Sequence, residues 1–500
     1  MRRFGALLAI LAAGCTTMEP KYVRPDPAVP ASWPAGDPGL ARAEAGLPAL
    51  TYKQVFTDPR LQTLIEKGLA NNRDLQAAAA NIAAAREQYR IQRAQQFPQL
   101  GAAGDVTVSG DRSSGSSSSG SGSGNNSSGV RAQYEAGLNV PSFEVDLFGR
   151  LRSLTHAQLN QYFATEAGAR ATRLALVANI ANAWLDYAAD SSLLRISTET
   201  ASSAAKSVQL TRIRLDGGVA PRTDLDQAEQ IMDAAQADLA RDKTQVAQDV
   251  NALQLLVGAP IDQALLPTSI DDAFGTIAPV SPGLDSYVLL RRPDVIQSEY
   301  QLRAANANIG AARAALFPRI TLTGLLGSAS SALLKLFTGG AFGWSAGANA
   351  SYTIFQAGAG HANVRLTEAR QRAAVASYQG TIQTAFRDVS DALARRGTIN
   401  DELAARQRQQ AATADTYLLT EARYRAGIDP FLTVLDAQRS YYAAQQTLVS
   451  TKLTAAQNIV ATYQAIGGDA LLEGTPICQN LPGDSAQANA ALFATECAPD

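Results

Sequence analysis

The sequence predicts a mixed α and β membrane protein, in which long helices adjoin a few short strands that several copies must share. Three observations support this prediction. The chain repeats itself once, and each half contains a long helical run without proline. Each half also contains stretches of alternating polarity that suit strands in a bilayer.

Length and composition favour an elongated helical body. The chain has 500 residues, more than one ordinary core can organise, so we expect several domains or one long structure. Aromatic residues make up 6% and charged residues 18%, which suits long helices that pack through small side chains. The net charge of -2 offers no basis for nucleic-acid binding.

The N-terminus reads as an export signal. Residues 1–14 combine a basic start, a brief apolar run and a small-residue site, which indicates a signal peptide rather than a membrane span. Cys15 follows Ala-Ala-Gly as in a bacterial lipobox, so we expect it to be lipidated; ordinary signal cleavage beside an incidental thiol is the alternative. A single acyl chain binds a membrane reversibly, so other elements must supply a stable association.

Two further cysteines lie near the C-terminus. Cys478 and Cys497 form an even pair in an oxidising compartment, and a disulfide between them would stabilise the fold by roughly 3 kcal/mol. Two free thiols are an equally good interpretation.

The internal repeat covers most of the chain. The string at residues 73–100 matches residues 293–320 at an offset of 220, whereas Gly218 and Gly427 match at an offset of 209. The predicted domains are a signal peptide (1–14), a lipidated segment (15–55), a first repeat (56–260), an inter-repeat equatorial segment (261–290), a second repeat (291–468) and an equatorial tail (469–500).

Each repeat predicts a helix, a strand pair, a long helix and a return helix. The helical bounds are 73–97 and 150–215 in the first repeat and 293–316 and 359–425 in the second. At about 1.5 Å per residue, each long helix would extend about 100 Å. Pro221 and Pro430 are expected in the first turn of the return helices, where a missing N–H is tolerated.

The strands alternate in polarity as membrane strands do. Residues 342–354 place apolar side chains on one face, with Phe342, Trp344 and Tyr352 near the two ends of the strand, where lipid-facing strands carry aromatic anchors. Residues 319–326 and 130–140 alternate in the same way. A soluble β-sandwich would show a similar pattern.

Four such strands cannot close a barrel, yet unpaired strand edges are not tolerated in lipid. Copies must therefore pool their strands. Two chains would give a filled eight-stranded barrel, whereas three give twelve strands and an open bore, so we expect a homotrimer. The Ser/Gly-rich tract at 109–129 predicts a flexible, solvated loop between the first two strands, with a plain linker as its simplest interpretation.

Catalytic motifs are missing from the sequence. The two histidines, His156 and His361, suit solvated helix positions better than metal ligands, and no zinc-protease, nucleophile-elbow or P-loop string occurs. We therefore expect no enzyme activity, no bound metal and no cofactor.

Several strings in one order carry a family resemblance. They are "CTTMEPKYVRP", "FTDPRLQTLIEKGLANNRDLQAA", "VDLFGRLR", "LLRRPDVIQSEYQLRAANANIGAARAALFPRITL" and "RYRAGIDPFLTVLDAQRSYYAAQ". With them the sequence resembles the outer-membrane efflux lipoproteins, the TolC-like channel subunits of tripartite exporters, over nearly its whole length. The Ser/Gly loop and the tail beyond Gly468 depart from that pattern.

The resemblance implies a trimeric channel in the bacterial outer membrane. Its twelve-stranded β-barrel would continue into a long periplasmic α-helical barrel with an equatorial domain. Its partners would be outer-membrane lipid, a periplasmic adaptor and an inner-membrane pump of the resistance-nodulation-division class. The channel would conduct multidrug efflux substrates passively to the exterior.

The resemblance also implies a gate at the periplasmic end. Positions matching Leu432 and Asp436 form an apolar ring and an acidic ring in the family, and Tyr424 and Arg423 are secondary gate contacts. If Pro430 is the first helical residue, Asp429 is expected to cap the return helix.

The gate positions differ between the repeats and from the family. At an offset of 209, the first repeat has Thr223 and Gln227 in place of Leu432 and Asp436. Thr433 stands where the family has a second acidic residue. A solvated helix charge is the alternative interpretation of Asp436.

Two other functions remain open from the sequence. A periplasmic coiled-coil lipoprotein without a bore would have strands that do not face lipid. An exit duct for type I protein secretion would share the channel architecture but carry a different cargo.

Overall fold

The computed structural model describes residues 17–27, 29, 51–110, 130–278, 286–338 and 340–468. The predictions for the signal peptide, for Cys15, for Cys478 and Cys497, and for residues 111–129 of the Ser/Gly tract lie outside the described residues. Within the described ranges the chain forms α-helices, short 3₁₀ turns and one sheet. The helices are α1 (Tyr52–Val55), α2 (Pro59–Asn71), α3 (Arg73–Ala94), α4 (Arg150–Asp216), α5 (Arg222–Val257), α6 (Ile270–Phe274), α7 (Pro293–Ala314), α8 (Ala359–Arg425) and α9 (Phe431–Ala465).

The four strands form one antiparallel sheet in sequence order. They are β1 (Gly101–Gly110), β2 (Val130–Val145), β3 (Arg319–Ser330) and β4 (Phe342–Ser351). The first repeat supplies β1 and β2, the second supplies β3 and β4, and the β2–β3 pairing joins the two halves. Within the described sheet, β1 and β4 are the edges.

The register separates an apolar face from a polar face. Trp344 pairs with Leu326, and Leu326 pairs with Leu138, so these three side chains share one face. Arg319 pairs with Ser351 and Thr321 pairs with Asn349, and these residues lie on the other face. Trp344 is 76% exposed in the single chain, so the apolar face lacks a protein cover there. The alternation predicted for these strands is therefore present in the sheet.

The internal repeat is confirmed by the order of elements. Helix α3, strands β1 and β2, and helices α4 and α5 recur as α7, β3 and β4, α8 and α9. The long helices α4 and α8 both have 67 residues. Both begin where predicted, and they end at Asp216 and Arg425, within one residue of the predicted ends.

Some predicted bounds need correction. The strand predicted to reach residue 354 ends at Ser351, because its partner β3 begins at Arg319, directly after Pro318, which has no N–H to donate to a ladder. The helices predicted to reach 97 and 316 end at Ala94 and Ala314. Phe-Pro follows each of them, and a residue before proline is displaced from helical angles.

Contacts divide the chain into two units. The first contains residues 1–24, 83–163 and 300–376, and it includes the whole sheet. The second contains residues 25–82, 164–299 and 377–500. These units cut across both repeats, and the predicted domain bounds stay predictions.

The second unit holds the largest buried side chains. Trp184, Tyr378, Tyr463 and Phe56 are fully buried, and the Trp184 indole donates to the carbonyl of Leu265 at 3.1 Å. Burying one such aromatic side chain stabilises a fold by about 1.5–3 kcal/mol. Around this core the inter-repeat segment contacts the first repeat, since a β-bridge joins Phe56 and Ile277. None of the described helices is long and apolar enough to cross a membrane.

Candidate functional site: the helical turns of the two repeats

The candidate gate residues lie beside two similar turns, one in each repeat. Helix α4 ends in a turn with Gly218 at a φ of 74°, and helix α8 ends in a turn with Gly427 at the same angle. In the first turn the Val219 amide donates to the Arg214 carbonyl at 2.9 Å; in the second, the Ile428 amide donates to the Arg423 carbonyl at 2.9 Å. Both are Schellman motifs, in which a left-handed glycine ends the helix.

A proline then starts each return helix. Pro221 and Pro430 are N-cap residues with extended ψ angles of 157° and 155°, so both lie one position before the helix rather than in its first turn. Asp429 does not cap α9. Its carboxylate accepts from Arg423, with Nε–Oδ2 and Nη2–Oδ1 distances of 2.6 and 2.9 Å. The predicted capping role is therefore wrong.

A small apolar core stabilises both turns. Its buried members come from all four helices that meet here: Val208, Ala228, Tyr424, Phe431, Val434 and Leu435. The rings of Tyr424 and Phe431 lie 5.1 Å apart at their centroids. The Tyr424 hydroxyl is buried and has no hydrogen-bond partner in the described part of the chain. Tyr424 thus acts mainly as an apolar ring in this core.

The two turns use equivalent arginines differently. Arg423 in the second turn pairs with Asp429, which also raises the pKa of Arg423 and lowers that of Asp429. Its first-repeat equivalent, Arg214, has Ala220 at the matching position, and its guanidinium lies 4.5 Å from the centre of the Tyr424 ring. This cation–π contact links the first turn to the second.

Leu432 and Asp436 line one cavity between α5 and α9. The cavity has a volume of about 460 Å³, and Gln227, the first-repeat equivalent of Asp436, lines it too. Leu432 is 63% exposed and Asp436 is also exposed, although Val434 and Leu435 between them are buried. Helical spacing therefore places the two predicted residues on the open face of α9.

The same cavity contains polar residues that sequence reasoning missed. Arg439 lies one helical turn beyond Asp436, and Asp238 of α5 accepts a hydrogen bond from the Tyr442 hydroxyl at 3.2 Å. Burial and the carboxylates of Asp238 and Asp242 raise the pKa of Tyr442 to about 12. Counting three and six residues forward from Asp436 would have indicated Arg439 and Tyr442.

The structure brings together two of the four predicted residues. Leu432 and Asp436 share the cavity, whereas Tyr424 lies in the buried core and Arg423 pairs with Asp429. A carboxylate on an open face, with Leu432 one turn before it, can attract cations and narrow a passage. No group of described histidine, cysteine, aspartate or glutamate side chains is suited to hold a metal ion.

The first repeat carries a second acidic group farther along its helix pair. Asp186 and Asp190 of α4 face Asp242 and Asp249 of α5, and the last two are buried. Burial, followed by the neighbouring carboxylate of Asp249, raises the pKa of Asp186 to about 6. Burial and a hydrogen bond with Asp249 raise the pKa of Asp190 to about 7.

Comparison with known proteins adds independent information. Residues 64–259 and 285–468 match the family model for outer membrane efflux protein. The chain is 42% identical over 470 residues to a probable efflux pump outer membrane protein, TtgC of Pseudomonas putida, covering 93% of this chain and 94% of that protein. It is 39% identical over 463 residues to outer membrane protein OprJ of Pseudomonas aeruginosa, covering 93% and 95%.

Solved structures show the same fold. A membrane protein from Pseudomonas aeruginosa aligns with a TM-score of 0.81 at 38% identity, covering 91% of this chain and 98% of that chain. The open state of the MtrE outer membrane channel of Neisseria gonorrhoeae aligns with a TM-score of 0.79 at 33% identity, covering 91% and 99%. Both likenesses extend over most of the described residues.

Proposed function

Since this chain belongs to the outer membrane efflux protein family, we propose that Leu432 and Asp436 form the periplasmic gate of an outer-membrane exit channel. The chain is the outer-membrane channel of an efflux system, and its predicted fold class, a mixed α and β channel protein, is confirmed. We propose that three copies combine a shared β-barrel with a helical barrel. Its location is the outer membrane.

The sheet explains why copies must assemble. Four strands with an apolar face and two open edges cannot close in lipid, because each unpaired backbone group there costs several kcal/mol. Three copies would pair β4 of one chain with β1 of the next and produce twelve strands around an open bore. We propose the homotrimer because it meets this requirement and leaves an open bore.

The placement of Leu432 and Asp436 on one exposed helix face supports the gate. Around a three-fold axis, three copies of each side chain would form an apolar ring and, one turn further along the helix, an acidic ring. The carboxylates would attract cations into the constriction and resist closer approach of the helices. Gln227 lines the same cavity without a charge, so the second repeat alone would supply the acidic ring.

Opening would require movement of the return helices, since the constriction contains no reactive chemistry. The two Schellman turns and the apolar core around Tyr424 would keep each tip intact during such a movement. The Arg423–Asp429 ion pair lies within the second turn itself. It would stabilise that turn rather than join one chain to its neighbour.

Single-channel conductance in planar bilayers tests the gate. Leu432→Ala with Asp436→Ala should raise the conductance several-fold, because the variant removes both rings. The matched control is Thr223→Ala with Gln227→Ala, which makes the equivalent change in the first repeat and should leave the conductance near the wild-type value. Equal conductance in wild type and gate variant, with equal block by divalent cations, would contradict the gate.

We also propose a periplasmic adaptor and an inner-membrane pump as partners. The relatives are named as outer-membrane components of efflux pumps, which supports such an assembly. Their names cite antibiotics, toluene and cations, so they do not agree on one class of exported compound. Crosslinking from the two tip turns in cells should capture an adaptor, and a tip that captures none would contradict this proposal.

Lipidation of Cys15 is a further part of the proposed function. One relative, SilC of Salmonella typhimurium, is named a probable outer membrane lipoprotein and is 35% identical over 458 residues. Intact-mass measurement of the purified protein should show acyl chains that disappear in Cys15→Ser. Equal masses, apart from the substitution itself, would contradict lipidation.

A further inference from the structure

A basic cavity lies where the long helices meet the sheet. It has a volume of about 390 Å³ and is bounded by α4, α7 and α8. Three arginines line it: Arg150 at the start of α4, Arg319 at the start of β3 and Arg370 on α8. Alanine and other small or neutral side chains supply most of the rest, and none of the described lining residues is a carboxylate.

The positive charge of this cavity is only partly neutralised. Glu144 accepts from Arg150 in a bidentate pair, with distances of 2.8 and 2.7 Å, and the Arg319 Nε lies 3.5 Å from the same carboxylate. Glu144 thus serves two guanidinium groups, and Asp146 adds an electrostatic attraction to Arg150, so three arginines face two carboxylates. Arg370 forms no ion pair among the described residues and is exposed. The cluster therefore keeps a surplus of positive charge beside an open space.

Sheet register indicates that this cluster faces the bore. Arg319 pairs with Ser351 and Glu144 pairs with Thr321, so both charges lie on the polar face. Trp344 and Leu326 lie on the opposite, apolar face. In a channel embedded in lipid, the apolar face is outside and the polar face lines the bore.

The N-terminal segment at residues 17–24 supports the same orientation. It lies along one side of α7, where Asn306 Nδ2 donates to the Pro20 carbonyl at 2.8 Å. A Cβ at Gly310 would lie 2.8 Å from Glu19 Cα. The cavity residues Ala305, Asn308 and Ala312 lie roughly half a turn around the same helix. If Cys15 carries the lipid proposed above, the segment that follows it runs outside the channel, which leaves the opposite side of α7 facing inward.

We propose that this cavity is an anion-binding site in the bore wall, which takes a carboxylate or phosphate group of a permeating molecule and favours passage of anions. This inference rests on the proposed channel function. Arginine suits the role because its planar guanidinium remains charged and binds both groups with paired hydrogen bonds. In the trimer, three such cavities would form a basic ring at the sheet end of the helices, opposite in sign to the acidic ring proposed at the tip.

The test is the reversal potential of the full-length protein across a KCl gradient in planar bilayers. Arg319→Gln and Arg370→Gln should each raise the ratio of potassium to chloride permeability, by about two- to three-fold at low salt, and the double variant should raise it further. The effect should fade near 1 M salt, where the Debye length falls to about 3 Å. Arg372→Gln is the matched control, because Arg372 lies on the far side of α8 from the cavity.

Inorganic phosphate and succinate, added separately, distinguish the two ligand groups. Each should reduce the chloride current of the wild type and have less effect on Arg319→Gln with Arg370→Gln. The series is repeated in channels that also carry Leu432→Ala and Asp436→Ala. These substitutions should open the proposed gate, so that a closed gate does not suppress the current. If Arg319→Gln and Arg370→Gln conduct current with the same ratio of potassium to chloride permeability as Arg372→Gln, the anion site is overturned and the channel function stays intact. Absence of current in every variant would instead contradict the channel function.

Discussion

The two repeats have the same backbone design but carry different charges. Their turns match in the φ of Gly218 and Gly427, in the Schellman hydrogen bonds and in the proline caps. Their exposed side chains differ, since the second repeat has Leu432 and Asp436 where the first has Thr223 and Gln227. Keeping the turn while changing the exposed face would give the second repeat the proposed acidic ring without disturbing how either turn folds.

Farther along the helix pairs the difference is reversed, because there the first repeat carries the carboxylates and the second does not. The first repeat places Asp186, Asp190, Asp242 and Asp249 together, and the positions 209 residues later are Arg395, Ile399, Thr451 and Asn458. Ile399 and Thr451 are buried, as ordinary helix-packing residues are. The carboxylates with raised pKa values, Asp186 and Asp190, therefore belong to the first half, and Asp436 on the cavity face belongs to the second.

The largest effect on stability should come from Tyr424, because its side chain is buried in the second turn, whereas the equivalent side chain of the first turn is only half-buried. Tyr424→Ala should cost about 3–5 kcal/mol of stability, because it leaves a cavity in the shared core. Leu215→Ala, at the equivalent half-buried position of the first turn, should cost roughly 1 kcal/mol. The apparent Tm of the detergent-extracted protein measures both. Tyr424→Phe should cause no loss, and a large loss would show that the hydroxyl is needed.

Asp190 should make stability depend on pH. Its pKa of about 7 in the fold exceeds the value near 3.9 of an unfolded aspartate, so the folded state holds a proton that the unfolded chain has released. The resulting stabilisation is present below about pH 4 and is lost as the pH rises to about 7.

Asp190→Asn should therefore stabilise the protein at pH 8 relative to wild type, by about 1–2 kcal/mol after allowance for solvent screening. The difference should vanish near pH 4. Thermal unfolding at several pH values measures this effect, with Glu199→Gln, an exposed position on the same helix, as the control. A stability difference between Asp190→Asn and wild type that does not vary with pH would contradict the raised pKa of Asp190.

Arg214 should contribute a smaller amount to the free energy of unfolding. Among the interactions described, its contact with the Tyr424 ring is the one cation–π contact that links the two turns. Arg214→Gln should lower stability by about 0.5–1 kcal/mol. In a Tyr424→Leu background the same substitution should have almost no effect. A double-mutant cycle measures the coupling, and additive losses would exclude the contact as a source of stability.

The smallest effect is expected at the exposed ion pair of the second turn. Arg423→Gln should leave the apparent Tm unchanged within error, because solvent screens such pairs. Its conductance should also equal that of the wild type if the pair lies within one chain as described. A marked rise in conductance would instead restore Arg423 as a gate contact, as the sequence resemblance implied.

Much of the fold could be predicted because it depends on local patterns. Proline-free runs predicted α4 and α8 to within one residue, since backbone hydrogen bonds within a helix need no distant partner. Alternation predicted the strands, but their ends depend on pairing, so β4 ended at Ser351 rather than at residue 354. The role of Asp429 was predicted incorrectly because Pro430 is itself the N-cap, which places Asp429 one position before the cap, where it pairs with Arg423.

By itself the sequence determined the repeat, the helices, the polarity of the strands and the need for copies to share them, because periodicity and the chemistry of lipid act along the chain. The tertiary structure decided which side chains meet. It placed Asp436 with Gln227, Tyr424 with Arg214, and Arg150 with Arg319. Contacts between residues distant in sequence depend on how helices and strands pack, and no local pattern encodes that packing.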